Sequence, residues 1–534
     1  MEQNKPALTT KTSEGLLKLT EQGRTEVAPW VSDIDSYVYA FTPEADAVAV
    51  AAAMARLSRN PNDLRTILAE EFLDKDDKTE GLLRRVVTQF GDDSVMQLYP
   101  MQIVFEGISN IATKDVEWGR LAAYLEQSTR YLRFDRKDEE GHYAYYTPEE
   151  FDPETHEIYE EYMDKIFDIY SDLYVKLRTH IEETSIVPEQ QRDAAWKNAC
   201  HAQACDGVRA LLPASTKATV GFEGSAQAAY NLILHMNASE LPEMNKIGFK
   251  TLQAVRTIAP VFFERVDNPE RGELIVGHTV AARNDTRELA AQLLENAEIA
   301  PKPGLSVELL GVDGSEDELA AKILADASTY PLSELLPFVQ GLDVEKKRQI
   351  IQTYVGDRYN RRAKPGRAFE LPHYLFEIQC DYGAFRDIQR HRLVDGLDWQ
   401  LLHTELGHVQ SPAIANAGLE EGYERAFELS KELYGKLQER GYEAQAQYAT
   451  LFGHIMRASM KVNARSLVHT IELRTTPQGH PSYRKVYKDM YDQIAAVHPA
   501  IAEAMVFVNQ GEDEELARLG AERYNQAKQE VAGN

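Results

Sequence analysis

The chain has 534 residues, more than one hydrophobic core usually organises, and this length predicts two or three domains. Hydrophobic residues make up 43% of the sequence and charged residues 27%, which is ordinary for a globular protein and excludes disorder of the bulk. The formal net charge of −27 disfavours a general surface for nucleic acid or acidic membranes, so an anionic ligand must be held by a local arginine cluster.

The cysteine content and the first residues indicate the compartment. The three cysteines, Cys200, Cys205 and Cys380, form no CxxC pair, which argues against a disulfide framework and a thiolate zinc site. The start, MEQNKPALTTKTSEG, contains no apolar signal segment, and no stretch approaches the roughly 18 apolar residues of a membrane span. We expect a cytoplasmic protein with no metal centre, no membrane or nucleic-acid partner, and a mobile polar tail over residues 1–34.

Along the chain, the spacing of apolar residues predicts short strands and longer helices. The predicted strands are Ser36–Phe41, Met101–Glu106, Ser306–Leu310 and Tyr374–Gln379. The predicted helices, in which apolar residues recur every three or four positions, are Glu44–Leu57, Glu421–Leu437 and Ala444–Ile471. This pattern predicts an α+β fold in which long helices pack on a small sheet. The sequence has no P-loop and no GxGxxG fingerprint, so a nucleotide or flavin is not held in a Rossmann manner.

Three segments of the N-terminal half align with three segments of the C-terminal half, which predicts a tandem duplication. Tyr37–Pro61 aligns with Val307–Pro331, Val116–Tyr131 with Ile388–His403, and Val208–Met236 with Ala446–Arg474. The offset is 270 residues in the first pair, 272 in the second and 238 in the third. We predict one copy over residues 35–270 and a second over residues 305–534, joined by a polar linker over residues 271–304.

The N-terminal copy carries 34 more residues than the C-terminal copy between the second and third aligned segments. The surplus falls in a charged, tyrosine-rich stretch whose second part has helical periodicity. We predict a surface insertion with its own helix over about residues 133–195.

The tripeptide Arg390-His391-Arg392 is a candidate for anion binding because guanidinium groups match phosphate and deprotonated ring edges. On a helix, residues two apart point about 200° away from each other, so the two arginines would serve different partners. Taken alone, the tripeptide is more simply explained as a solvated basic helix face.

A second candidate lies in the N-terminal copy, at Glu126, Ser128 and Arg130. In an extended segment these alternate residues project to one side and offer an acceptor, a hydroxyl and a cation to one polar ligand. A helix end that enters an edge strand, with the arginine in a surface ion pair, explains the segment equally well.

In register, the two candidates together resemble the flavin-dependent thymidylate synthases, whose signature runs RHR-x7-S-x-R-Y with a Glu two positions before the Ser. The C-terminal copy matches RHR but has other residues downstream, namely Asp398, Gln400 and Leu402. The N-terminal copy has lost RHR and keeps the rest: Trp118, Gly119 and Arg120 stand for RHR, and Glu126, Ser128, Arg130 and Tyr131 match.

The third pair of segments repeats this division. The family's phosphate-binding Arg before Leu-Pro is matched by Arg209, whereas the C-terminal copy has Gln447 there. The family's Asn-Ala-Arg and its late Leu-Arg are matched by Asn463-Ala464-Arg465 and Leu473-Arg474, where the N-terminal copy has Ser225, Gln227 and Met236. Each copy lacks what the other keeps, so the resemblance implies one composite site built from both copies.

The resemblance implies reductive methylation of dUMP to dTMP with FAD as cofactor and with methylenetetrahydrofolate and NADPH as co-substrates. It implies that Arg474 favours ionisation of the uracil ring and that Ser128 orients the base. The implied substrate-binding residues are Glu126, Gln127, Ser128, Thr129, Arg130, Arg209, Asp387, Arg390 and Arg474. The implied cofactor-binding residues are Ser94, Glu126, Arg390, His391, Arg392, Asn463, Arg465 and His469. Because the family is typically homotetrameric, the fused chain is expected to form a homodimer that mimics the tetramer.

Three positions depart from the family pattern. Asp92 stands for a His, Asp387 for a Gln three before RHR, and His469 for an amide. These changes leave two alternatives open, a flavoenzyme acting on another pyrimidine nucleotide and a non-catalytic nucleotide-binding or scaffold homologue. A basic cluster is either a receptor for a folate tail or FAD phosphate or, more simply, a solvated loop; its members are Arg358, Arg361, Arg362, Lys364 and Arg367. Whether the composite site forms within one chain or across a dimer is also left open.

Overall fold

The computed structural model describes residues 7–57, 59–73, 79, 81–82, 93–139, 141–300, 302–512 and 516–532. The chain forms two compact units. The first comprises Met1–Glu106, Asp115–Glu126 and Thr219–Glu298, and the second Gly107–Lys114, Gln127–Ala218 and Ile299–Asn534. The second unit therefore contains the C-terminal copy together with residues 107–114 and 127–218 of the N-terminal copy.

The elements of the N-terminal half follow in chain order. The strands are β1 (Thr9–Lys11), β2 (Leu17–Leu19), β3 (Pro100–Ser109), β4 (Ala122–Glu126) and β5 (Lys217–Ser225). The helices are α1 (Glu21–Val27), α2 (Ala47–Leu57), α3 (Leu64–Ile67), α4 (Asn110–Val116), α5 (Pro153–Thr184), α6 (Ala194–Val208), α7 (Ala226–Asn237), α8 (Pro242–Ile258), α9 (Pro260–Phe263) and α10 (Gly272–Leu294).

The C-terminal half repeats much of this order. The strands are β6 (Ser306–Asp313), β7 (His373–Asp381), β8 (Gly396–Trp399) and β9 (Ile455–Asn463). The helices are α11 (Glu316–Asp326), α12 (Leu332–Gln340), α13 (Val344–Val355), α14 (Tyr382–Gln389), α15 (Pro412–Asn416), α16 (Glu420–Glu439), α17 (Ala464–Arg474), α18 (Pro481–Val497), α19 (Pro499–Glu503) and α20 (Leu519–Ala532). The mixed fold of helices on small sheets confirms the predicted α+β class.

The sheet of the C-terminal half is antiparallel, in the order β6-β7-β9-β8. Alternate side chains of β7, those of Tyr374, Phe376 and Ile378, are fully buried, as a half-buried strand requires. Strand β7 pairs with β9 along its whole length, from His373 opposite Asn463 to Asp381 opposite Ile455. The sheet therefore fixes the place where α14 begins, directly after Asp381.

The sheet of the N-terminal half has the order β3-β5-β4, which matches β7-β9-β8. The predicted strand Ser36–Phe41 is wrong, because this segment makes only one isolated bridge, from Val31 to Phe41. The carboxylate of Asp33 accepts hydrogen bonds from the backbone N–H groups of Asp35 and Ser36, which turns the chain instead of extending it.

The predicted helix Ala444–Ile471 is also wrong. Its first part is a short 3-10 helix, Gln445–Ala449, its middle is β9, and only its last part belongs to a helix, α17. Burial alternates along β9, with Ala458, Met460 and Val462 buried, so the apolar residues follow a period of two. The other predicted strands lie within β3, β6 and β7, and the other predicted helices correspond to α2 and α16.

Residues 7–34 fold as a hairpin, β1–β2, and helix α1 rather than as a mobile tail. The Thr20 hydroxyl accepts a hydrogen bond from the N–H of Gly23 and caps α1, and Val27 and Val31 are buried in a small core. The segment predicted as a linker, residues 271–304, contains helix α10. The segment predicted as an insertion, residues 133–195, contains helix α5, which is 32 residues long. Among the described residues, no helix has both the length and the apolar character that crossing a membrane requires.

Candidate functional site

The site is built around α14, which starts directly after β7. The carboxylate of Asp381 caps this helix by accepting from the N–H of Ala384 at 2.9 Å. The helix ends at Gln389, Arg390 is its C-cap, and His391 and Arg392 lie beyond it. The tripeptide therefore lies at and beyond the end of the helix, and the spacing of residues within a helix does not apply to its two arginines. The chain leaves the helix here to form β8, which starts at Gly396.

Asp387, on the last turn of α14, binds arginines that come from both copies. Its Oδ1 lies 3.2 Å from Nη1 of Arg474 and 3.7 Å from Nη1 of Arg390, and its Oδ2 lies 3.4 Å from Nη1 of Arg209. Only 10% of the Asp387 side chain is exposed. Since all four residues belong to the second unit, motif residues of both copies meet within one chain.

The charge of this arginine cluster favours an anion. Burial alone would raise the pKa of Asp387, but Arg474, Arg390 and Arg209 hold it well below its usual value. Asp387 is therefore a carboxylate near neutral pH and offsets one of the three positive charges. The remaining two guanidinium charges suit a phosphate group, which arginine binds with its planar fork of donors.

The segment Ser128-Thr129-Arg130 reaches the same region. Strand β4 ends at Glu126, and the Ser128 hydroxyl accepts from the N–H of Arg130 at 3.2 Å, which makes a turn. The extended geometry considered for residues 126–130 therefore does not continue beyond Glu126. The Thr129 hydroxyl accepts from Nη1 of Arg386, a residue of α14, at 3.1 Å. This contact joins the segment to the helix that carries Asp387.

Arg130 is held by an acidic residue that the sequence did not single out. Nε and Nη2 of Arg130 donate to the two carboxylate oxygens of Asp206, at the end of α6, both at 2.8 Å. Arg518 donates to the same carboxylate at 2.7 Å. Burial would raise the pKa of Asp206, but the charge and hydrogen bonds of Arg130 lower it to about 2. The bidentate pair fixes the plane of the Arg130 guanidinium.

Tyr483, also missed from the sequence, links arginines of the two copies. Its hydroxyl accepts from Nη1 of Arg130 at 3.1 Å. Its ring centre lies 5.8 Å from the guanidinium carbon of Arg130 and 5.3 Å from that of Arg474. Both distances fall within the range of cation–π attraction, so one ring stabilises two arginines.

Two histidines beside Arg474 are neutral. Nε of Arg474 donates to Nε2 of His391 at 2.7 Å, which assigns the ring proton to Nδ1. Burial and the charge of Arg474 hold the pKa of His391 well below its usual value. Burial, followed by the charges of Lys364 and Arg361, lowers the pKa of His469 to about 4.

Three of the predicted flavin residues, Asn463, Arg465 and His469, lie at the start and middle of α17. The Asn463 side chain caps the helix by accepting from the N–H of Ser466 at 2.9 Å. Arg465 donates to the carbonyl oxygen of Pro365 at 2.9 Å and lies 3.3 Å from Glu370. Nδ1 of His469 is buried and has no hydrogen-bond partner among the residues described. This unpaired atom and the positive charges near it fit an anionic cofactor with polar ring edges.

Several predicted residues remain predictions. Ser94 precedes a short 3-10 helix, Val95–Leu98, and Glu126 ends β4, and both belong to the first unit. Gln127 is exposed and Arg392 is half-buried, next to His391 in sequence. Asp92 lies outside the described residues.

The basic cluster at 358–367 divides into structural and exposed members. Arg358 is buried and donates from Nη1 and Nη2 to the two carboxylate oxygens of Glu472, both at 2.7 Å. The side chain of Arg367 is 85% exposed and pairs with Glu370. Arg358 therefore stabilises the fold of this loop.

A cavity of about 490 Å³ opens beside Arg130 and Arg209. Asp206, Asp381 and His480 also line it. Burial raises the pKa of Asp381 to about 6, whereas burial and the charge of Arg209 lower that of His480 to about 3. His480 is therefore neutral in the physiological range, and the cavity joins neutral, anionic and cationic groups.

Comparisons with known proteins identify relatives of this chain. The family model described as thymidylate synthase complementing protein matches residues 38–261 and 316–500. A UPF0159 protein of Chlamydia muridarum is 29% identical over 95% of this chain and 98% of its own length. A UPF0159 protein of Thermoplasma acidophilum is 28% identical over 88% of this chain and 97% of its own. A flavin-dependent thymidylate synthase of Clostridium tetani is 23% identical over 42% of this chain and 83% of its own.

Among solved structures, a UMP/dUMP methylase, PolB, from Streptomyces cacaoi bound with 5-Br dUMP is 21% identical to this chain. The match covers 39% of this chain and 98% of that protein, with a TM-score of 0.30.

Proposed function

The chain belongs to the thymidylate synthase complementing protein family, with two tandem copies of the family domain, and from that premise we propose that it methylates dUMP to dTMP. The reaction uses FAD as cofactor, methylenetetrahydrofolate as carbon donor and NADPH as reductant. One observation carries the proposal: Asp387 binds Arg209 of the N-terminal copy and Arg474 of the C-terminal copy within the second unit. The residues that each copy keeps thus meet in one arginine cluster. A relative at 23% identity is a flavin-dependent thymidylate synthase.

In this proposal the phosphate of the nucleotide binds Arg130 and Arg209. Asp206 and Tyr483 hold Arg130 in one orientation before the nucleotide arrives, which reduces the entropy lost on binding. Arg390 supplies a further cation at the edge of the cluster, where its side chain is 41% exposed. Such a site favours a nucleoside monophosphate over an uncharged nucleoside.

Arg474 and Ser128 act on the base. Uracil C5 is a poor nucleophile, and a cation placed where the ring gains negative charge lowers the barrier to its reaction. Arg474 is fixed by His391 and Asp387, so its charge is oriented in advance. Ser128 offers a hydroxyl that both donates and accepts, and this orients the base through its polar edge.

The cofactor FAD is held by His391, Arg392, Asn463, Arg465 and His469. Neutral His391 and His469 offer ring nitrogens to the flavin edge, and the neighbouring cations Arg465 and Lys364 suit the pyrophosphate. The family pattern also assigns Arg390, Ser94 and Glu126 to the cofactor. When bound, FAD supplies the hydride chemistry that no side chain provides.

The chain is proposed to work as a cytoplasmic homodimer that mimics the family tetramer. Each chain carries one arginine cluster around Asp387 in its second unit, and a dimer therefore has two. The reciprocal set of residues, which the copies have lost, makes no second site.

A second candidate function is the modification of another pyrimidine nucleotide. The observation that favours it is Asp387, a carboxylate where the family pattern has an amide. A carboxylate only accepts hydrogen bonds, so it repels an ionised uracil and favours a base that donates, such as cytosine.

The test begins with purified protein and added FAD. We expect a flavin absorption spectrum, NADPH oxidation that depends on dUMP and methylenetetrahydrofolate, and dTMP as product. UMP and dCMP serve as alternative substrates, and turnover only with dCMP would replace the first function by the second. A colourless protein that gains no flavin spectrum with FAD would overturn both enzymatic functions and favour a non-catalytic homologue.

A further inference from the structure

Arg518 lies beside the proposed phosphate site although it is outside the family domain. The match to the family model ends at residue 500, and Arg518 follows it in the C-terminal segment that begins at Leu516. Arg518 lines the same cavity of about 490 Å³ as Arg130 and Arg209, and all three arginines belong to the second unit. The cavity therefore holds a guanidinium group that no position of the family domain supplies.

Arg130 has few donors left for a phosphate. Its Nε and Nη2 donate to Asp206, Nη2 also donates to the carbonyl oxygen of Gln478 at 3.2 Å, and Nη1 donates to the hydroxyl of Tyr483. Four of its five N–H groups are thus in use, whereas a guanidinium binds a phosphate most strongly through two parallel N–H groups. Arg130 alone can offer only one.

Arg518 has donors to spare at the same point. Its Nη2 donates at 2.7 Å to Oδ2 of Asp206, the oxygen that also accepts from Nη2 of Arg130 at 2.8 Å. Its Nη1 lies 3.5 Å from the carbonyl oxygen of Arg130. Its other three N–H groups have no hydrogen-bond acceptor within the described part of the chain. Since one carboxylate offsets only one of the two guanidinium charges, the pair keeps a positive charge for an anion.

The C-terminal segment holds Arg518 in this position. The N–H of Leu516 donates to Oε1 of Gln203 on α6 at 2.9 Å, and the guanidinium carbon of Arg518 lies 4.8 Å from the ring centre of Tyr131. The φ angle of Leu516 is 49°, in the left-handed region that residues other than glycine rarely adopt. Such strained positions persist where the surrounding contacts fix them, and they are concentrated at ligand sites. Helix α20 begins at Leu519 and packs on α6.

We propose that Arg518 is a substrate-binding residue that pairs with the nucleotide phosphate, so that the C-terminal segment completes a site in which the family domain leaves too few donors. The inference rests on the proposed function, which makes a phosphate monoester the anion. Asp206 holds Arg130 and Arg518 side by side, and a phosphate dianion accepts from both. Arg518 thereby favours the doubly charged phosphate over an uncharged nucleoside.

The test compares three variants of the FAD-loaded protein with dUMP as the ligand. Arg518→Gln removes the charge, and Arg518→Lys keeps the charge but loses the planar fork of donors. Arg523→Gln is the matched control, because Arg523 joins the same helix α20 to the start of α6. It lies 3.6 Å from Asp193 and donates to the carbonyl oxygen of Gln191 at 3.1 Å. Its side chain is 40% exposed and is not part of the cavity lining.

Two measurements separate a phosphate contact from a structural role. Calorimetric titration gives the dissociation constant of dUMP. Phosphorus NMR of bound dUMP, followed against pH, gives the second pKa of its phosphate. A cation beside the phosphate lowers that pKa because it favours the dianion, whereas a side chain that only supports the fold leaves it unchanged.

We expect Arg518→Gln to weaken dUMP binding at least about 10-fold, as the loss of a charged hydrogen bond implies. The second pKa of the bound phosphate should rise by about one unit in this variant, because a neighbouring cation is lost. Arg518→Lys should weaken binding less and keep the wild-type phosphate pKa. Arg523→Gln should match the wild type in both measurements.

Wild-type dUMP affinity or an unchanged phosphate pKa in Arg518→Gln would overturn this inference, and so would equal losses in Arg518→Gln and Arg523→Gln. These outcomes leave the proposed function intact as long as the wild type forms dTMP. A wild type that binds dUMP as expected but forms no dTMP contradicts the proposed function alone. A wild type that does not bind dUMP contradicts both.

Discussion

The ends of the two matching helices, α17 and α7, show what separates the two copies. Helix α17 ends at Arg474, whose guanidinium binds Asp387 and His391. The aligned residue of α7 is Met236, which is fully buried and carries no charge. One scaffold position thus holds a cation of the arginine cluster in the C-terminal copy and an apolar core residue in the N-terminal copy.

The residues around these helix ends diverge in the same way. Trp118, which aligns with Arg390, stacks on His235 with ring centres 4.2 Å apart and planes 2° apart. Asp115, which aligns with Asp387, lies 3.8 Å from Nε2 of His235. In the N-terminal copy an aromatic stack and one acid–histidine contact therefore stand where the C-terminal copy has the arginine contacts of Asp387.

The largest effect is expected from Arg474→Met, which gives the C-terminal copy the residue of the N-terminal copy. Loss of a cation aimed at developing negative charge costs about 10²–10³ in turnover, so dTMP formation should fall at least 100-fold. Met236→Leu is the control, because this volume-conserving change should leave turnover intact. Turnover by Arg474→Met above a tenth of wild type would remove Arg474 from the mechanism.

The next largest effect is expected on the free energy of unfolding in urea, measured for Asp387→Asn and for the aligned variant Asp115→Asn. Removing the Asp387 charge leaves three arginines without their shared carboxylate and should lower the free energy of unfolding by about 3 kcal/mol. Asp115 has one histidine contact at 3.8 Å, so its change should cost less than about 0.5 kcal/mol. Equal losses of unfolding free energy in the two variants would mean that Asp387 stabilises the fold no more than the single histidine contact of Asp115 does.

Acid should weaken the arginine cluster through Asp206. Its pKa in the folded state is about 2, below the usual 3.8, so the ion pair stabilises the fold above pH 3.8 and this contribution is lost as the pH falls toward 2. A shift of nearly two units corresponds to about 2 kcal/mol. The difference in unfolding free energy between wild type and Asp206→Asn should therefore shrink between pH 6 and pH 2. A difference that stays constant over this range would contradict the ion pair.

The smallest effect is expected from Trp118→Ala. The half-exposed ring loses its stack on His235, which should lower the free energy of unfolding by about 1 kcal/mol. Turnover should not change, because the N-terminal copy makes no site at this position. A loss of turnover in a folded Trp118→Ala protein would show that the abandoned region still acts in the reaction.

The sequence predicted more of the site than of the local backbone. The register of the repeat placed Arg209, Arg390 and Arg474 in one set, and they meet at Asp387. The strand β9 was taken for a helix because its apolar residues fit both periods when burial is unknown.

Other parts of the site depend on tertiary contacts that no local pattern reveals. Asp206 and Tyr483 are separated by 277 positions and both hold Arg130, and neither stands at a position that the family signature marks. The signals to examine in other sequences with this repeat are a tyrosine three positions after the His that follows Arg474 and an acid three positions before Arg209.

The central claim is that one chain alone supplies both halves of the composite site. The most direct test co-expresses Arg209→Gln and Arg474→Met, each of which gives one copy the residue of the other, and measures dTMP formation by the mixed protein. If the site forms within one chain, every chain is defective and the mixture stays as inactive as either variant. If the site forms across a dimer, about half of the dimers are mixed and one of their two sites is intact, so about a quarter of wild-type activity would return and contradict the claim.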